Sequence, residues 1–317
     1  MVSPPSLSTH RFKIETADAS ILQVTEISPT TPDVVACIIL THAMMVDART
    51  FCRRGKGMAE TFAHLGWRVF LPNFRGRGES GKKPRQGGSW TYDDIIKFDL
   101  PAIVSAVRAR VGSLPLVLGG HSLGGHASVA TGGLNLFETA PDAYLLLSAN
   151  VWRPSLEPSF FRRLKKSLSF TVFYGITRSF GYFPSRKLRF GSCDEALEYV
   201  SDLRRSWVTD HWRSRDGTKD YTLAASRVSA PILSVVGAGD ALMAHPVGAE
   251  RWFNDVGFGT KEFWLAKAGQ YGLDFDPDHM TLVTSPRAAP LWLEMERWLS
   301  HNLELSHRDE RTQRQIK

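Results

Sequence analysis

The chain has 317 residues, 43% of them hydrophobic and 22% charged, a globular composition with room for one large core and an insertion. Its three cysteines, Cys37, Cys52 and Cys193, lie far apart without a C-x-x-C pair, which suits a reducing compartment better than a disulfide framework. The opening "MVSPPSLSTHRFKIE" lacks a basic start followed by an apolar stretch, and no run approaches about 18 apolar residues. A cytoplasmic protein with no signal peptide and no membrane span is therefore expected.

In chain order, "RFKIETADASILQVTEIS" alternates as an antiparallel hairpin does and belongs on a sheet edge. Continuous apolar runs then read as buried parallel strands: "VVACIIL" at 34–40, "WRVFLP" at 67–72, "LPLVLGG" at 114–120, "AYLLLSA" at 143–149, "PILSVVG" at 231–237 and "EFWLAKA" at 262–268. Between them 94–111 has helical spacing, although Pro101 must kink or restart that helix. This alternation predicts an α/β fold with a doubly wound, mostly parallel sheet.

The alternation stops after Asn150 and resumes near residue 226, so 1–150 and 226–303 form the expected core and 151–225 an inserted, mainly helical cap. The tail 304–317 has almost no apolar residues and is expected to be disordered. Of the net charge of +7, residues 151–220 supply +6, along with 13 of the 34 aromatic residues. In "SFFRRLKKSLSFTVFYG" the residues Phe160, Leu164, Leu168 and Val172 step by four and share a face, with Arg162, Arg163, Lys165 and Lys166 largely off it. The expectation is an apolar roof over the active site built from Phe160, Phe161, Phe173, Tyr174, Tyr182 and Phe183, with the basic residues in solvent.

"GGHSLGGHA" at 119–127 places Ser122 where a strand ends and a helix begins, the setting of a nucleophile elbow. Gly120 and Gly124 fit a turn whose backbone angles and close approaches disfavour side chains, and the helix beginning beneath Ser122 aims free N–H groups at an oxyanion. A serine needs a base and a group to orient it. Asp240 follows the strand "PILSVVG", and His279 stands in "DFDPDHMTLVTSP" before the closing helix, giving the order nucleophile, acid, histidine at strand ends. His121, His126 and His42 fit the base less well: the first points away from Ser122, the second lies on the following helix, and the third suits the oxyanion loop.

With these residues in place the chain resembles the α/β-hydrolases with a serine nucleophile, over roughly residues 34–303. "THAMM" at 41–45, "NFRGRGES" at 73–80, "GGHSLGG" at 119–125, "VVGAGDALM" at 235–243 and "DHM" at 278–280 carry the resemblance. "FGYFPSRKL" at 180–188 and "DLRRSW" at 202–207 are similar to the cap of an uncharacterised bacterial group of predicted α/β-hydrolases. The resemblance implies hydrolysis of a small or medium apolar carboxylic ester through an acyl-enzyme, with Leu123 and Met44 N–H groups as oxyanion donors and neither metal nor cofactor. Ala43 stands where many relatives carry glycine, which narrows the φ choices of that loop. Thioesterase, amidase, lactonase, carbon–carbon hydrolase and acyltransferase chemistry remain open on the same triad, as does a non-catalytic ligand-binding role. Nucleic-acid binding, suggested by the basic charge, is not expected because no recognised module is present.

Overall fold

The computed structural model describes residues 6–31, 34–52 and 55–305, so the expected disorder of the tail lies mostly outside the described residues. A hairpin, β1 (Leu7–Glu15) and β2 (Ile21–Pro29), opens the chain. Five fully or largely buried strands and a half-buried edge strand follow: β3 (Ala36–Thr41), β4 (Trp67–Pro72), β5 (Leu116–His121), β6 (Ala143–Leu147) and, beyond two short strands β7 (Tyr182–Phe183) and β8 (Glu195–Ala196), β9 (Ile232–Gly237) and the edge strand β10 (Lys261–Ala266). The main sheet runs β1-β2-β4-β3-β5-β6-β9-β10, antiparallel at β1, β2 and β4 and parallel from β4 onward. Each parallel strand agrees with the sequence reading to within about two residues, and the edge hairpin starts four residues earlier than that reading, at Leu7 rather than Arg11.

Both faces of the sheet are covered, which is why the parallel strands read as unbroken apolar runs rather than alternating ones. Ile39, Leu118 and Leu146 face one core layer, while Ile38, Val117 and Leu145 face the other. On the first face lies the helix Leu100–Val111, which starts anew with Pro101 in its first turn, as expected of that proline. A π turn over Ile95–Asp99 precedes it, with Leu100 N–H donating to the Ile95 carbonyl, so the longer loop absorbs the bond that proline removes.

Strands β4 and β5 flank β3 on opposite sides, so the direction of winding switches between β3 and β5, and the crevice above their C-terminal ends is where ligands gather in such sheets. Residues 148–231 add no strand to the eight-stranded sheet; they form helices Phe160–Phe180, Leu197–Thr209 and Tyr221–Ala225 and the β7–β8 pair. Phe160, Phe161, Leu164, Leu168 and Val172 are exposed, contrary to the expected roof. The same helix turns Lys166, Phe170 and Thr177 inward instead. Lys166 is buried against Glu157, and Phe170 stacks on Trp207 at 5.5 Å between ring centroids. Phe173 meets Phe183 edge-on at 4.2 Å, so these rings hold the inserted segment together rather than roof a pocket. A helix with apolar residues on two faces leaves the periodicity unable to say which one turns inward.

Candidate active site

Ser122 directly follows β5 with φ 51° and ψ −108°, a conformation costly for a side-chain-bearing residue, and its N–H donates to the Leu147 carbonyl at 2.8 Å. The strain therefore falls on the serine itself. Gly120 and Gly124 are required for room: a Cβ at 120 would collide with the Gly124 and Gly125 backbone, and one at 124 with Thr41. Neither glycine has positive φ, which corrects half of the reason the sequence suggested. The helix Leu123–Gly133 starts at once, and among the described residues Ser122 Oγ and the N–H groups of Leu123 and Met44 have no hydrogen-bond partner.

Asp240 lies three residues past β9, buried to 2% exposure. Its Oδ1 accepts from Met243 N–H and its Oδ2 from Ala244 N–H, each at 3.0 Å, and Oδ2 also lies 2.6 Å from His279 Nδ1. Burial pushes the Asp240 pKa up, but the bond to His279 and the backbone donors outweigh it and hold the carboxyl below its ordinary range. The loop bearing His279 is docked on the end of β9, where Gly239 N–H donates to the Pro277 carbonyl at 2.9 Å and a Cβ at Gly237 would collide with that oxygen. Asp274, Asp276 and Asp278 turn elsewhere: to Arg287, to Ala268 N–H, and to Met280 and Thr281.

The three histidines set aside in the sequence are all buried and driven neutral, each lowered to about 3 chiefly by loss of solvation. His42 Nε2 accepts from Phe74 N–H at 3.1 Å, so Nδ1 carries the proton and donates to the Ala43 carbonyl at 2.8 Å, bracing the loop before Met44. His121 Nε2 donates to the His279 carbonyl at 2.9 Å, and the two rings lie 4.8 Å apart. His121 thus turns away from Ser122 but supports the candidate base, a role its sequence position did not disclose. His126 bonds through Nδ1 to the Tyr92 hydroxyl at 2.7 Å and stands in the pocket wall.

Sequence reasoning missed a second set of residues. Arg77, in "NFRGRGES", is fully buried between the Trp90 and Tyr199 rings and donates to Glu195 Oε2 at 2.5 Å. Glu195 Oε1 accepts from Met45 N–H at 2.5 Å, and Met45 itself has φ 62°. A carboxylate from the inserted segment therefore fixes the backbone next to Met44, and Arg77 balances its charge. The only sequence signal was the arginine in the turn; its partner lies 118 residues away. Glu195→Gln is expected to destabilise the protein by about 3 kcal/mol, because it leaves Arg77 buried without a counter-charge, and Arg77→Met in the same chain should recover much of the loss. Urea unfolding of the two single variants and the double variant measures it.

Ser122, Leu123 and Met44 open onto a cavity of about 310 Å³ walled by Tyr92, Trp152, Tyr199, Leu203 and Trp212. The wall carboxylates are already engaged: Asp93 by the Tyr221 hydroxyl and Arg215 N–H, Asp202 by Tyr92 N–H and Arg205, and Asp216 by Ser214 and Thr218. One buried polar atom, Asn150 Oδ1, lines the cavity without a partner among the described residues. Those residues also hold no cluster of three or more His, Cys, Asp or Glu able to bind a metal ion.

A mostly parallel sheet with a serine on a strained strand-to-helix turn defines an α/β-hydrolase of the serine-nucleophile type. The profile of the family described as "Serine aminopeptidase, S33" matches residues 32–278, well over half of the chain, and the chain belongs to that family of serine hydrolases. Lysophosphatidylserine lipase ABHD12 of Rattus norvegicus is 31% identical over 150 residues, 45% of this chain and 33% of the lipase, so the match spans about a third of that relative's length. Among solved structures, a thermophilic esterase from Thermogutta terrifontis superposes with a TM-score of 0.61 at 17% identity, covering 92% of this chain and 99% of the esterase. A monoacylglycerol lipase of Paleococcus ferrophilus does so with 0.56 at 16%, covering 93% and 99%. Among the described residues no helix is long and apolar enough to cross a membrane.

Proposed function

We propose that the protein hydrolyses carboxylic esters with an apolar acyl or alcohol part through an acyl-enzyme. The observation that carries this reading is the 2.6 Å Asp240–His279 bond in a chain whose strained, unpartnered Ser122 hydroxyl opens on an aromatic cavity. Ser122 Oγ attacks the carbonyl carbon while His279 takes its proton. The C–O bond of the collapsing tetrahedral intermediate breaks as His279 returns that proton to the leaving alkoxide. Water repeats the sequence on the acyl-enzyme and releases the acid. Asp240 holds the imidazole with its proton on Nδ1 and supports the imidazolium, and the Leu123 and Met44 N–H groups receive the oxyanion. Residues 151–225 act as a cap over the core of 1–150 and 226–303, supplying Trp152, Tyr199, Leu203 and Trp212 to the substrate wall.

Amide cleavage is the reading that the family's description brings forward. A free amino terminus would call for an unengaged carboxylate in the wall, and those present are already bonded. The lysophosphatidylserine lipase and the monoacylglycerol lipase are, by their names, enzymes of lipid esters, in line with apolar walls. Each methylene buried there is worth about 0.8 kcal/mol, so kcat/KM should rise roughly fourfold per added methylene until the cavity is full. Initial rates on p-nitrophenyl acetate, butyrate, hexanoate and octanoate, beside amino-acid p-nitroanilides, test this. A steady fall from acetate onward removes the apolar-substrate part; anilide turnover exceeding that of every ester removes ester specificity; no turnover of either removes the enzyme.

A further inference from the structure

The outward face of the long helix in the inserted segment is without a partner. Phe160, Phe161, Leu164, Leu168 and Val172 are 69%, 79%, 56%, 65% and 54% exposed, in a helix whose opposite face, with Lys166, Phe170 and Thr177, packs on the protein. At about 100° per residue these five side chains span one stripe, roughly 20 Å long at 1.5 Å per residue. Arg163 borders the stripe on one side and Lys165 on the other, while Arg178 extends its line toward the C-terminal end. All three are exposed, and none forms an ion pair among the described residues. The 21-residue helix contains no acidic residue at all.

We propose that this face is a lipid-docking surface that seats the protein on an anionic bilayer, with the helix lying in the interface plane. Phenylalanine and leucine enter the acyl boundary, and the bordering cations reach back to the headgroup phosphates along their own methylene stems. A single-sign basic border around an apolar stripe is complementary to a surface that is apolar beneath and anionic above. A second copy of the chain fits less well: self-pairing about a two-fold axis would set the basic border of one helix against the same border of the other, with no carboxylate on the helix to meet it. A membrane-spanning role is not involved, since this helix is too polar to cross a bilayer.

The purified full chain is mixed with sonicated vesicles of phosphatidylcholine alone, or of phosphatidylcholine with about one-third phosphatidylglycerol, and bound protein is measured by sedimentation. Binding is expected to the anionic vesicles, weakening as salt rises from 0.05 to 0.5 M by about tenfold because the Debye length shortens. Phe161→Ser with Leu168→Ser is expected to lower the partition coefficient at least about tenfold. Arg163→Gln with Lys165→Gln should lower it by a similar factor for anionic vesicles only. Near-ultraviolet dichroism of each variant should match the wild type, since all four side chains are exposed. No binding to anionic vesicles, or binding that the substitutions leave unchanged, overturns the proposal. So does a wild-type dimer in sedimentation equilibrium that Phe161→Ser with Leu168→Ser converts to monomer. The readout is lipid binding and not turnover, so its outcome stands apart from that of the ester-hydrolase reading.

Discussion

Ser122→Ala is expected to lower kcat on any ester substrate by about 10⁴-fold or more while leaving the folded structure intact. The Oγ atom has no hydrogen-bond partner among the described residues, so its removal orphans nothing, and the Cβ that the turn already accommodates is retained. The loss would be confined to the step that forms the acyl-enzyme. Ser122→Gly sharpens the test, because the backbone strain at φ 51° belongs to having a side chain at all. The glycine variant should be as inactive as the alanine variant yet more stable by about 1–3 kcal/mol. Steady-state rates and urea unfolding of both variants decide it. Retention of more than about 1% of wild-type kcat by either one would reject Ser122 as nucleophile.

Asp240→Asn is expected to cost kcat about 10⁴-fold as well, through a different cause. The carboxylate accepts from three donors at once, Met243 N–H, Ala244 N–H and His279 Nδ1. An amide with its oxygen toward the backbone donors must turn its NH₂ to His279. The imidazole then keeps its proton on Nε2 and has no lone pair there to receive one from the nucleophile. Neither Asp278→Asn nor Asp276→Asn meets this obstacle, since Asp278 caps the turn at Met280 and Thr281 and Asp276 accepts from Ala268 N–H. Those variants should retain kcat within about tenfold of wild type. Wild-type turnover in Asp240→Asn with collapse in one of the others would move the orienting acid to that site.

Residue order and local pattern were enough for the sheet, for the turn that holds Ser122 and for the pairing of Asp240 with His279. A buried parallel strand announces itself by an unbroken apolar run, and the nucleophile elbow is written within seven consecutive residues, so both depend on information close at hand in the chain. Asp240 and His279 were picked out by position as well, the first three residues past β9 and the second in the loop between β10 and the closing helix. Distance in sequence is what hid the rest. Glu195 reaches Arg77 and Met45 across 118 and 150 residues, and His121 reaches the His279 carbonyl across 158. No spacing rule predicts such pairs, because they exist only once the inserted segment and the C-terminal loop have packed on the core.

The inserted helix shows the same limit from the other side. Its periodicity correctly specified an amphipathic helix, but hydrophobic spacing carries no direction toward a particular partner. Whether Phe160, Leu164, Leu168 and Val172 or Phe170 and Thr177 turned inward depended on which stripe matched the surface beneath. Packing against Trp152, Phe183 and Trp207, with Lys166 buried on Glu157, chose the second. The sequence by itself determined the elements, their order and the chemical types at the strand ends, since these follow from local sterics and burial. The tertiary structure alone decided which residues wall the cavity, which carboxylate braces the loop at Met45 and which apolar face remains in solvent, because each is a contact between segments that only folding brings together.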